Sequence, residues 1–208
     1  MARIKICGLT RKEDIDAVNS ALPDYIGLVF AKSRRQVSEE QAKVLKAHLN
    51  PSIEAVGVFV NDDVERIIRL CRTGVIDLIQ LHGDEDEIYI QALKSSVPNR
   101  IIKAVRVRET DDIKKAMALS CDYLLMDAWH EGQYGGMGKT FDWSLIPEIS
   151  KPFFLAGGIH TGNIQQAVEA YHPYAIDVSS GVETDGFKDP VKITEIVALT
   201  RKIESRPD

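Results

Sequence analysis

Residues 123–143 read YLLMDAWHEGQYGGMGKTFDW. The stretch opens on an apolar run, Tyr123-Leu124-Leu125-Met126, which reads as a buried strand. A single carboxylate, Asp127, stands where that strand should end. Gly132, Gly135, Gly136 and Gly138 follow, then Lys139, Thr140 and a second acid, Asp142. An acid at the C-terminal end of a strand, ahead of a pliable loop, fits a proton donor beneath a closing lid. It fits equally a turn-capping aspartate whose glycines only let the chain bend. The remainder of the chain has to choose.

Working outward in both directions, strand-like and helix-like segments alternate. The pattern predicts strands over 3–8, 25–30, 54–60, 78–82, 100–107, 123–127, 153–156 and 175–178. It predicts helices over 11–20 (capped by Thr10), 39–49 (opened by the Ser38-Glu39-Glu40-Gln41 capping box), 62–72, 85–96, 111–119, around 143–149, 163–170 and 191–202. Eight βα units in 208 residues average about 26 residues each. The strands are short and apolar, as expected where helices cover one face and a packed interior the other. Eight such units predict a closed (β/α)8 TIM barrel, one domain spanning 1–208, at the short end of its size range. An open doubly wound sheet would usually carry a glycine fingerprint after its first strand, and here that turn is Cys7-Gly8-Leu9-Thr10-Arg11 with one glycine. Residues 204–208 read as a frayed tail.

Composition narrows the function classes. Net charge is −5, which argues against a nucleic-acid partner. No apolar run reaches the ~18 residues of a membrane span, and the first residues lack a secretory apolar region. Three widely spaced cysteines, Cys7, Cys71 and Cys121, make neither a disulfide framework nor a C-x-x-C site. A cytoplasmic enzyme without metal or cofactor is the expectation, and an anionic small molecule is the expected partner.

In a barrel of this kind the chemistry gathers where strands end and βα loops begin. Those ends carry Cys7, Lys32-Ser33-Arg34-Arg35, Asn61-Asp62, His82, Asp127, Gly157-Gly158 and Asp177-Val178-Ser179-Ser180-Gly181. A rim this polar exceeds what capping requires. Cys7 is a base or nucleophile as its thiolate, and a small buried hydrophobe otherwise; its position favours the former. Cys71 and Cys121 read as packing. His82 either bonds a substrate oxygen or satisfies backbone groups. Arg35 either pairs with a carboxylate or is a solvated loop charge. Asp177 either touches a sugar hydroxyl or orders the rim. The small-residue segments at Gly157-Gly158 and Ser180-Gly181 sit after strands seven and eight, where barrels often hold phosphate. Gly138-Lys139-Thr140 imitates the end of a nucleotide P-loop, but Gln133 stands where its first glycine belongs.

These motifs together resemble the phosphoribosylanthranilate isomerase family of tryptophan biosynthesis. The resemblance runs nearly end to end: KICGLT at 5–10, KSRRQV at 32–37, VGVFVN at 56–61, QLHGDE at 80–85, GGMGKTFDW at 135–143, LAGGI at 155–159 and DVSSGVE at 177–183. It implies an Amadori rearrangement of a phosphoribosyl aminoaldose, with Asp127 as general acid and Cys7 as general base. It implies Arg35 at the anthranilate carboxylate, Gly157, Gly158, Ser180 and Gly181 at the phosphate, and His82 among the substrate contacts. The substrate would be a small anionic phosphoribosyl compound, and the protein a monomer or homodimer. The chain departs from the family's usual pattern at Arg34, Ala128, Met137 and Phe187. Rival expectations are a phosphosugar isomerase of the histidine pathway, a dual-specificity barrel, and a phosphoribosyl-ligand sensor without turnover.

Overall fold

The computed structural model describes residues 3–128 and 142–204. Eight parallel strands close on themselves in chain order. They are β1 (Arg3–Cys7), β2 (Tyr25–Val29), β3 (Glu54–Phe59), β4 (Leu78–Leu81), β5 (Arg100–Val107), β6 (Tyr123–Ala128), β7 (Phe153–Leu155) and β8 (Ala175–Val178). β1 pairs in parallel with both β2 and β8, so the sheet has no open edge. The helices outside are α1 (Lys12–Ala21), α2 (Glu39–His48), α3 (Val64–Arg72), α4 (Glu87–Ser96), α5 (Thr110–Met117), α6 (Ile164–Tyr171) and α7 (Pro190–Glu204). The expected closed (β/α)8 barrel is the architecture found.

Side-chain alternation along each strand divides the apolar residues into two cores. Ile4 and Ile6 of β1, Ile26 and Leu28 of β2 and Ile79 and Leu81 of β4 point outward and pack under the helices. Tyr25, Val56, Leu78, Ile102, Tyr123, Leu125, Phe154 and Ala175 fill the inside. The inner core is aromatic toward the N-terminal end of the barrel. There Phe154 lies 5.6 Å, centroid to centroid, from both Tyr25 and Tyr123, and Tyr174 lies 4.8 Å from Tyr123. Arg100 donates to both Glu54 carboxylate oxygens and to the Tyr123 hydroxyl at that end. This plug leaves the C-terminal end of the interior to polar side chains.

Three local readings change. Thr10 is not the cap of α1: Arg11 holds that place, and the Asp14 carboxylate accepts from the backbone N–H of both Thr10 and Arg11. Ser38 caps α2 by accepting from the Gln41 N–H, but the Gln41 amide reaches the Thr10 carbonyl and not back to the cap. The helix expected around 143–149 is a single 3-10 turn, Trp143–Leu145. Pro147 is the reason, since the residue before a proline is driven out of the helical region, and Ile146 is extended at φ −75°, ψ 111°. A further element was not foreseen: Glu183–Thr184 (β9) and Phe187–Lys188 (β10) pair as an antiparallel hairpin. Asp185 and Gly186 turn it with φ of 52° and 83°. Asp-Gly between two extended pairs is the sequence signature of that turn. The glycine loop with Met137, the lid reading, the P-loop mimic at 138–140, His130 and the tail 205–208 all lie outside the described residues.

Candidate active site

The upper interior of the barrel is a chain of buried polar groups. Lys5 is fully buried and projects inward from the middle of β1. Its ammonium donates to Gln80 Oε1 at 2.8 Å and to Asp177 Oδ1 at 3.0 Å. Asp177 is its register partner on β8. Burial alone would lower the Lys5 pKa, but the Asp177 and Cys7 side chains outweigh it and the pKa is raised. Gln80 Nε2 lies 2.8 Å from His82 Nδ1. His82 Nε2 in turn lies 3.2 Å from Asp127 Oδ2, yet it has no hydrogen-bond partner among the described residues. Asp127 is buried at the end of β6, its Oδ1 accepting from the Ala128 N–H at 2.8 Å. The turn after His82 is fixed from below. Lys103 Nζ donates to the Gly83 carbonyl at 2.7 Å and to Glu85 Oε2 at 2.9 Å, and Glu85 accepts from the Asn61 and Gly83 N–H groups. A buried pair whose other donors and acceptors are also engaged holds one loop geometry.

Cys7 ends β1, three strands from β6 by the shorter way round the ring. Burial pushes its thiol above the ordinary range, and Lys5 and Lys188 partly counter that. The Ser179 hydroxyl donates to the Cys7 carbonyl at 3.1 Å and ties the end of β1 to the loop after β8. Gly27 on β2 leaves the room the sulfur occupies. A Cβ there would lie 2.5 Å from Cys7 Sγ and 3.0 Å from Cys7 Cα. Gly27→Ala is therefore expected to destabilise the fold by about 1–3 kcal/mol through overpacking, read from urea unfolding. Wild-type stability in that variant would show that the sulfur has space to move aside.

Arg35 comes from the loop after β2. Its stem passes so close over Gly8 that a Cβ there would meet Arg35 Cδ at 2.4 Å, and Gly8 has φ 84°. Only glycine meets both conditions. The Arg35 guanidinium is held bidentately by Glu183, Nε to Oε1 at 2.8 Å and Nη2 to Oε2 at 3.1 Å. Glu183 Oε1 also accepts from Lys188 Nζ at 2.9 Å, and Arg34 reaches Glu183 Oε2 and the Gly186 carbonyl. Arg11 lies over the Phe187 ring, 4.4 Å from its centroid. The departures at Arg34 and Phe187 thus latch the β9–β10 hairpin to the loops after β2 and β1. Burial would raise the Glu183 carboxyl, but Arg35 and Lys188 prevail and hold it at about 2. A depressed value stabilises the fold above the ordinary carboxylate value and ceases to do so as pH falls through the folded one. From 4.5 to about 2, that is about 3 kcal/mol. Glu183→Gln should flatten the loss of stability between pH 5 and 2 by that amount in urea titrations. Parallel curves for the two proteins would remove Glu183 from the acid response.

After β7, Gly157 and Gly158 both take positive φ, 80° and 67°. A Cβ on Gly157 would lie 3.3 Å from Asp127 Oδ1. After β8, Ser180–Val182 form a 3-10 turn, and a Cβ on Gly181 would lie 2.0 Å from the Ile159 carbonyl oxygen. The two segments read as phosphate-binding are therefore packed against each other beside Asp127.

A model of the N-(5'-phosphoribosyl)anthranilate isomerase family matches residues 4–198. The chain belongs to this family. An N-(5'-phosphoribosyl)anthranilate isomerase of Endomicrobium trichonymphae is 48% identical over 203 residues, covering 98% of this chain and all of that one. The crystal structure of phosphoribosyl anthranilate isomerase from Thermotoga maritima superposes with a TM-score of 0.84 at 32% identity, over 97% of this chain and 100% of that one. A family enzyme crystallised with reduced 1-(o-carboxyphenylamino)-1-deoxyribulose 5-phosphate gives a TM-score of 0.81 at 31% identity, with the same coverage. The family enzymes are isomerases of tryptophan biosynthesis, and this chain is one of them.

Against that family's motifs, the structure brings Cys7, His82, Asp127, Arg35, Gly157, Gly158, Ser180 and Gly181 to one end of the barrel, as their strand-end positions predicted. Arg35 is engaged by Glu183 and is not a solvated charge. Asp177 orders the interior by holding Lys5. Cys71 and Cys121 are buried and unpaired with each other, as packing residues are. Burial drives the Cys71 thiol up to about 12. Lys5, Gln80, Glu183 and Lys188 escaped the sequence reading. Lys5 and Gln80 carried a signal in the period-2 pattern, where a polar residue between apolar ones in a barrel strand can point inward. Lys188 carried none.

Proposed function

We propose that this chain converts N-(5-phospho-β-D-ribosyl)anthranilate to 1-(2-carboxyphenylamino)-1-deoxy-D-ribulose 5-phosphate. Asp127 gives its proton to the ribose ring oxygen as the bond from that oxygen to C1 breaks, leaving a protonated Schiff base. The Cys7 thiolate takes the proton from C2, and its electron pair moves to form the enolamine. Protonation at C1, with loss of the C2 hydroxyl proton to water, yields the ketone. The carboxylate of Asp127 and the thiol of Cys7 then exchange protons with water to restore the starting forms. The observation that carries this reading is that a buried carboxyl and a buried thiol end two strands across the same polar cup, in a chain with this family's motifs from end to end.

Arg35 is proposed to meet the anthranilate carboxylate. Its bonds to Glu183 use Nε and Nη2, which leaves the Nη1 donors for a second carboxylate. His82 Nε2, unpartnered beside Asp127, is proposed to donate to a sugar oxygen. Gly157, Gly158, Ser180 and Gly181 present backbone N–H groups to the phosphate. The test is direct: the substrate's anthranilate fluorescence should decay when the purified protein is added. Binding without decay would mark a sensor, and turnover of the histidine-pathway aminoaldose in its place would mark the other isomerase.

A further inference from the structure

We infer that Gln80 is a positioning residue that fixes the tautomer of His82, so that the ring presents Nε2–H beside Asp127. The inference deepens the reading of Asp127 as proton donor and rests on it. The hydrogen bonds of the buried chain run in one direction. The Lys5 ammonium has donors only, so the Gln80 group facing it must be the carbonyl, and it is: Oε1 lies 2.8 Å from Nζ. Lys5 cannot turn away, because Asp177 Oδ1 holds it at 3.0 Å and it is fully buried. With Oε1 committed, the Gln80 amide must offer its N–H group to His82, and Nε2 lies 2.8 Å from Nδ1. Nδ1 is then an acceptor, and the single ring proton belongs to Nε2. A second proton on Nδ1 would set two donors against each other in a site where neither can reach water, Gln80 being 1% and His82 8% exposed.

The consequence falls on Asp127. A neutral Nε2–H, 3.2 Å from Asp127 Oδ2, favours the carboxylate that forms when Asp127 gives up its proton. The other tautomer would set a bare ring nitrogen beside the same oxygen, and its lone pair would favour the protonated acid instead. The Nε2–H has no hydrogen-bond partner among the described residues, so it is also a buried donor awaiting an oxygen. Lys5 and Gln80 thus transmit a fixed polarity from β1 through β4 to the rim of β6, without either one touching Asp127.

The test reads the tautomer and the rate separately. Imidazole 15N shifts of the histidine-labelled protein report which ring nitrogen is protonated, with the His82 signals assigned by their loss in His82→Asn. The wild-type ring should be protonated on Nε2 with Nδ1 bare. Gln80→Glu keeps the size and the Lys5 contact but accepts at Nδ1, so the proton should move to Nδ1. Its kcat should then fall about tenfold or more, by a larger factor than KM rises through loss of the Nε2–H donor to the sugar. A wild-type ring protonated on Nδ1 overturns the inference, as does Gln80→Glu with unchanged shifts, or with changed shifts and unchanged kcat. If Gln80→Glu does not fold, Gln80→Met, which offers Nδ1 no donor, should show a mixture of tautomers and a lower kcat. A single Nε2–H form in that variant overturns the inference too. A wild-type protein with the Nε2–H ring and no turnover of the anthranilate compound sinks the functional reading and leaves the tautomer standing.

Discussion

Asp127→Asn is expected to lower kcat by at least ~10² while the protein melts near the wild-type temperature. The carboxamide matches the carboxylate in size, and its oxygen can still accept from the Ala128 N–H. It has no proton to give to a ribose oxygen. The loss belongs to the transition state, so kcat and kcat/KM should fall together and KM should change little. Two other outcomes are distinguishable. A rise in KM with kcat kept would make Asp127 a binding group. Near-wild-type turnover would move the acid elsewhere, and His82, 3.2 Å away, would be the first place to look. Circular dichroism and urea unfolding of the same sample guard against a trivial cause, because the β7 loop passes so close that a Cβ on Gly157 would lie 3.3 Å from Asp127 Oδ1, and a shifted loop would register there.

The barrel was legible because its strands are short, apolar and eight in number. β8 was predicted with its observed bounds, Ala175–Val178, and most other elements to within two residues. The failures have identifiable causes. Around 143–149 the expected helix was cut short by Pro147. The β9–β10 hairpin was overlooked although Asp185-Gly186 announces it, because two-residue strands carry too little periodicity to register. The rim residues were legible as a set, since a strand end in a barrel is a position that can be counted. Their wiring was not. That Arg35 is spent on Glu183, or that Lys5 faces inward to Gln80 and Asp177, depends on which residues of strands β1, β4 and β8 share a layer. Register across a closed sheet is a property of the whole ring, and no single segment states it.

Cys7→Ser is expected to cost at least ~10² in kcat as well, and its signature is in the pH dependence. A base works only when deprotonated, and burial holds the Cys7 thiol above its ordinary value against the pull of Lys5 and Lys188. The wild-type kcat/KM should therefore rise with pH through neutrality and go on rising above ~8.5, the value of an unperturbed thiol. Lys188→Met removes one of the two ammonium groups that favour the thiolate, so the rise should move further to the alkaline side. In Cys7→Ser the same limb should vanish, because a hydroxyl in the same pocket does not ionise in that range. The substitution is small, and the space Gly27 leaves for sulfur accommodates oxygen, so folding should be retained. A wild-type profile flat from neutral pH upward would mean that no buried thiol is titrating in the rate-determining step. A Cys7→Ser enzyme with wild-type kcat and an unaltered profile would assign proton abstraction to another group, and Lys188, buried beside the same loop and donating to the Ser179 carbonyl at 2.8 Å, would then be the residue to replace next.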